Sequence, residues 1–130
     1  MTRRRSLTFG SIAATLAACL LCTGCQPRLP ERDIATHGFP QAGRDAIARY
    51  GCGACHAIGG VPGAHGTVGP TLKGLGDRAY LAGHVPNTPD GLIAWIQHPQ
   101  ALDPRTAMPD LGVNETDARN IAAYLLNAPR

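Results

Sequence analysis

The chain has 130 residues, enough for one small domain, with only two Phe, one Trp and three Tyr. Its formal charge of +3 comes from Arg3, Arg4 and Arg5; beyond residue 24, nine Lys/Arg face nine Asp/Glu, so the electrostatic case for binding nucleic acid disappears. A core this poor in large side chains is marginal on apolar burial alone, unless something bulky and apolar fills it.

Residues 1–24 read as an export signal. Arg3–Arg5 form the positive n-region, and Leu7 to about Leu21 form the apolar h-region. The stretch falls short of the roughly 20 residues that a spanning helix needs, and an uncleaved anchor is the alternative. Leu21-Cys22-Thr23-Gly24-Cys25 resembles a bacterial lipoprotein box, with Cys25 as the lipidated residue. Leu16-Ala17-Ala18-Cys19 fits that pattern locally, but a cut there would leave spare thiols in an oxidising compartment. Residues 25–38, rich in proline and charge, form a tether, and residues 39–130 form the domain. The expected location is the periplasmic side of the bacterial inner membrane, lipid-anchored; soluble periplasmic protein and an uncleaved signal are the alternatives.

A first helix is expected from about Pro40 to Tyr50, with Gly51 ending it. Next comes Cys52-Gly53-Ala54-Cys55-His56, the attachment pattern of a c-type haem. Each thiol adds across one vinyl group of the porphyrin, and the adjacent imidazole then lies under the iron as one axial ligand. Gly53 and Ala54 are small, which suits a backbone pressed on a flat ring. Residues 57–76, rich in glycine, read as loop, with at most a helical turn near Leu72 to Leu75.

Thr88-Pro89-Asp90 opens a second helix with a capping hydroxyl, a first-turn proline and an acid near the positive end. It carries Leu92, Ile93, Trp95 and Ile96 and stops near His98, before Pro99, with loop expected from there to Pro109. Asn114, with Asp117 three residues on, opens the last helix, whose buried face is Ala118, Ile121, Ala122 and Leu125. No alternating strand pattern appears, so the domain is expected to be all-α, with long loops that a large cofactor would organise.

A six-coordinate iron needs a second ligand. The candidates are the two methionines and the spare histidines His37, His65, His84 and His98. Met1 leaves with the leader, so Met108, stiffened by Pro109, is the expected one; His65, His84 and His98 read as ordinary loop or helix-end residues. A His/Met pair raises the reduction potential, which suits an electron carrier.

These residues resemble those of class I c-type cytochromes, over about Gly43 to Leu126. The carrying motifs are Cys52–His56, Gly69-Pro70 and Met108-Pro109. More narrowly, Thr67–Leu72, Pro86–Leu92 with Trp95 and Ile96, and Met108–Gly112 resemble the cytochrome c domain of caa3-type oxidase subunit II, without its copper-binding part. The resemblance implies three to five helices wrapped around one covalent haem c. It also implies Cys52 and Cys55 as covalent attachment points and His56 and Met108 as iron ligands. Pro70 would pack by the His56 ring, Trp95 on the haem, and Arg78 against a propionate. Gly43 and Ile47 would cross Tyr124 and Leu125 where the terminal helices meet.

The function this implies is one-electron transfer, not catalysis, with a terminal oxidase as acceptor. A quinol-oxidising complex or a periplasmic dehydrogenase would be the donor. Two rivals stay open. A thiol–disulfide oxidoreductase would use Cys52 and Cys55 but needs them at a helix start after a strand. A haem sensor or peroxidase would leave one iron position open.

Overall fold

The computed structural model describes residues 28–129. The export signal, Cys25 and the first residues of the tether lie outside the described residues. Among those described, no helix is long and apolar enough to cross a membrane.

Among the described residues four α-helices carry the fold: α1 (Pro40–Arg49), α2 (Pro89–Gln97), α3 (Pro99–Leu102) and α4 (Glu115–Asn127). Helix α1 starts with a proline at its first turn, and Gly51, at φ 72°, turns the chain out of it. Helices α2 and α4 are capped as their sequences lead one to expect. The Thr88 hydroxyl accepts from the Gly91 N–H at 3.0 Å, and the Asn114 side chain accepts from the Asp117 N–H at 2.9 Å.

The terminal helices α1 and α4 cross in close contact, and the core gathers beside that crossing. Ala46 and Ile47 of α1 meet Ala118, Ile121, Ala122 and Leu125 of α4 in one apolar cluster with Leu92, Trp95 and Ile96 of α2. At the crossing, Gly43 lies against the backbone carbonyl of Asn120, one turn before the Tyr124–Leu125 contact that the sequence suggests. Tyr124 serves instead as a brace, its hydroxyl donating to the Gly59 carbonyl at 2.6 Å.

Asp117 bolts the same crossing from the side. It accepts from the Tyr50 hydroxyl at 2.9 Å, Arg49 at 2.9 Å and the Asn114 Nδ2 at 2.8 Å. Burial pushes the Asp117 carboxyl up, but these donors outweigh it and hold the group below its ordinary value of 3.8. As pH falls, the unfolded chain therefore takes up this proton first. The clamp contributes fully above about pH 4 and is lost as pH drops through the lower folded-state value. Asp117→Asn is expected to flatten the fall in stability between about pH 4 and pH 2, read as denaturant midpoints across that range. An unchanged acid limb would exclude the clamp.

Four details depart from the sequence expectation. A hairpin, β1 (Tyr80–Leu81) with β2 (Val85–Pro86), pairs Tyr80 with Pro86 and Leu81 with Val85. Two residues per strand are too few to register as alternation. Pro99 does not merely end α2; it occupies the first position of α3 and starts a new turn. The 3-10 turn after the glycine-rich loop spans Leu75–Asp77, at the end of the region expected. Finally, the packed chain begins before residue 39. Asp33 accepts from both the N–H and the hydroxyl of fully buried Thr36 at 2.7 Å, closing a turn that α4 holds through Asn127 and Arg119.

Candidate cofactor site

Between α2, α4, the segment after α1 and the loop before α4 lies an apolar cavity of about 370 Å³, in the size range of small-ligand pockets. Its walls bring together Cys52, Cys55, His56 and Met108, residues separated by up to 56 positions in sequence. Apolar side chains of the core, Trp95, Ile96, Ile121 and Leu125 among them, complete the walls.

Cys52 opens a 3-10 turn, Cys52–Ala54, entered through Gly51, and Cys55 caps it. The Cys55 and His56 N–H groups both donate to the Cys52 carbonyl, at 3.2 and 3.0 Å. This turn brings Cys52, Cys55 and His56 to the wall of one cavity. The thiols are free, not joined in a disulfide. Burial pushes the Cys52 thiol up, and the neighbouring Cys55 adds to that. A dithiol oxidoreductase needs the reverse shift, and it needs a helix start rather than a 3-10 turn after a helix.

Gly53 has no room for a side chain on the loop side, since a Cβ there would stand 2.8 Å from the Ala64 side chain.

His56 is held by a strap formed from residues 69–72. The Gly69 N–H donates to the Cys55 carbonyl and the Leu72 N–H to the Ala57 carbonyl, both at 2.8 Å. Across this ladder the Pro70 carbonyl sits 2.7 Å from the His56 Nδ1. With Nδ1–H donated there, the lone pair of Nε2 is left for a metal. Gly69 is required for the fit, because any Cβ would overlap the imidazole ring.

Met108 reaches the cavity from the loop before α4, its N–H donating to the Thr106 hydroxyl at 3.2 Å. Of the five histidines only His56 lines the cavity. His98 instead lies 3.2 Å from Asp110, and His84 3.0 Å from the Ala82 carbonyl. Trp95 is buried with one face on the cavity. Arg78 also lines the cavity, but its Nη2 is committed to the Thr71 and Lys73 carbonyls at 2.6 and 3.2 Å. The guanidinium thus fastens the end of the His56 strap.

Asn87 escapes a reading of the sequence by chemistry. Its Nδ2 donates to the Leu75 and Arg78 carbonyls, each at 2.8 Å, pinning the wall that carries Leu75 and Arg78. The signal for it was only its place beside the Thr88 cap.

The residues present suit a covalently attached haem. Two thiols, a tautomer-fixed imidazole and a thioether line one apolar cavity. The family model for cytochrome c matches residues 41–129. A cytochrome c oxidase subunit 2 from Alkalihalophilus pseudofirmus is 34% identical over 96 residues, covering 73% of this chain but 27% of the relative. A cytochrome c2 from Rhodoblastus acidophilus is 38% identical over 101 residues, covering 68% of this chain and 91% of the relative. The chain thus spans about a quarter of the first relative and nearly all of the second. No solved structure matches the chain.

Proposed function

The chain belongs to the cytochrome c family, an electron-transfer family with covalent haem c, and from that premise we propose that it carries single electrons with His56 and Met108 as axial ligands. The observation that supports this reading is the convergence of Cys52, Cys55, His56 and Met108 on one apolar cavity. When bound, the haem supplies a ferric/ferrous couple whose potential a Met ligand raises. The protein supplies the rest. Cys52 and Cys55 would hold the haem through their sulfurs, and the Pro70 carbonyl orients His56 through its Nδ1. The Thr106 hydroxyl and Pro109 brace the loop that carries Met108. Trp95, Ile96, Ile121 and Leu125 keep water from the cavity, which lowers the local dielectric and so tunes the potential.

The acceptor we propose is a terminal oxidase. One relative is an oxidase subunit whose matched part is about the size of this domain. A quinol-oxidising complex or a periplasmic dehydrogenase would supply the electrons. We place the protein on the periplasmic face of the inner membrane, held by lipid on Cys25, where tethering raises its effective concentration for a membrane partner.

The purified protein should show a low-spin spectrum with a sulfur–iron charge-transfer band towards the red. Met108→Ala should abolish that band and lower the reduction potential by on the order of tenths of a volt. A band that survives the substitution would overturn Met108 as ligand. A high-spin ferric spectrum in the unaltered protein would point to an open site and a sensor or peroxidase.

A further inference from the structure

We propose that the turn from Asp33 to Phe39 is the face on which the domain rests on the bilayer, with Ile34 and Phe39 entering the headgroup region. This rests on the tether reading above.

Ile34 is 86% exposed and Phe39 47% exposed, on one short turn. A single exposed isoleucine is ordinary; this one is held out by construction. The Asp33 N–H donates to the Gly38 carbonyl at 2.8 Å, closing the turn behind Ile34. Asp33 itself accepts from Thr36 and from Asn127, and Arg119 donates to the Thr36 carbonyl at 3.3 Å. Fully buried Thr36 anchors the loop, and His37 takes the left-handed conformation at φ 58°, which few non-glycine residues adopt. Arg32 lies over the Phe39 ring, 5.5 Å from its centroid, and its Nε reaches the His37 carbonyl at 3.3 Å. The tip cannot fold its isoleucine inward without undoing this network.

The chain that precedes the turn says what covers it. Ile34 lies nine positions after Cys25, so a lipid on Cys25 keeps Ile34 within about 30 Å of the membrane surface even when the tether is fully extended. An amphipathic tip so close to a bilayer, with exposed Ile34 and Phe39, Arg32 over the Phe39 ring and Arg28 a few residues before them in the chain, has the composition of an interfacial contact. Arg28 and Arg32 are balanced by Glu31 and Asp33, so the contact draws on apolar insertion rather than on anionic lipid.

The placement also leaves the cavity clear. Ile121 and Leu125 face the cavity, whereas Arg119, Asn120 and Asn127 hold the turn and the start of α1. At 100° per residue the second group lies roughly 120–140° round α4 from the first. The helix stands between the membrane contact and the cavity, so the electron-transfer face is not pressed into lipid.

The test uses the full-length lipidated protein, moved from detergent into phosphatidylcholine vesicles, with a spin label on Ile34→Cys and controls on Leu102→Cys and Thr116→Cys. All three positions are exposed and none lines the cavity, and an unchanged absorption spectrum verifies each fold. At position 34, accessibility to an aqueous nickel chelate should fall several-fold on reconstitution and accessibility to oxygen should rise; positions 102 and 116 should not change. Co-flotation with vesicles while position 34 stays water-accessible overturns this proposal and leaves the tether intact. Failure to float overturns both. Protection at position 34 that appears without vesicles and grows with protein concentration assigns the turn to a second copy of the chain and overturns the membrane contact.

Discussion

Gly43→Ala is expected to remove a large part of the domain's stability. The added carbon would overlap the Asn120 carbonyl at the crossing of α1 and α4, and that carbonyl is part of a helix backbone that has no rotamer to escape into. The helices must separate. Overpacking of a close-packed core costs typically 1–3 kcal/mol, and more when the neighbour cannot yield. Separation also stretches the bond from the Phe39 N–H to the Asn120 Oδ1, now 2.8 Å, which adds about 1 kcal/mol. Against a total stability of roughly 5–15 kcal/mol for a domain of this kind, a loss of about 3–4 kcal/mol is severe. The check is the guanidinium midpoint of the holo-protein. A midpoint equal to that of the unaltered chain would show that the crossing relaxes without cost.

Replacing both Cys52 and Cys55 with alanine is expected to have the larger structural effect. Without covalent attachment, the cavity of about 370 Å³ has nothing fixed in it. At about 24 cal/mol per Å³ an empty cavity of that size would cost on the order of 9 kcal/mol, comparable with the whole stability of the domain. Water entering through the open mouth lessens that figure, at the expense of wetting Trp95, Ile121 and Leu125. The expected product keeps part of its helical signal in the far ultraviolet, loses its aromatic signal in the near ultraviolet, and binds an apolar dye. Cooperative unfolding with the midpoint of the holo-protein would contradict this.

Which parts of the molecule were legible in the sequence follows from the range of the forces involved. Helix starts were readable because Thr88 and Asn114 cap donors three residues away, and the buried face of α4 because its period is local. The five-residue motif from Cys52 to His56 was readable because covalent geometry demands that spacing. The sequence sets Gly43 and Ile47 against Tyr124 and Leu125, whereas Gly43 meets the Asn120 backbone one turn earlier, since the register of two helices is set by contacts 77 residues apart that no local pattern encodes. Arg78 offered a charge, and a charge alone does not announce the Thr71 and Lys73 carbonyls that its Nη2 holds. Gly53 offered a small residue, and residue type alone does not place the Ala64 loop against it.

The closing of the Asp33 turn by Asn127, at 3.0 Å, means that both ends of the described chain leave the domain at one corner. Arg28 and Pro129 line the same shallow surface groove there. A unit that enters and exits at a single point is portable. It can be spliced to another polypeptide through either terminus, or hung from a short leader, with the cofactor walls on the other side of α4 untouched. The same fold can therefore serve as a segment of a larger oxidase subunit in one organism and as a compact chain of its own in another, with no redesign of its interior.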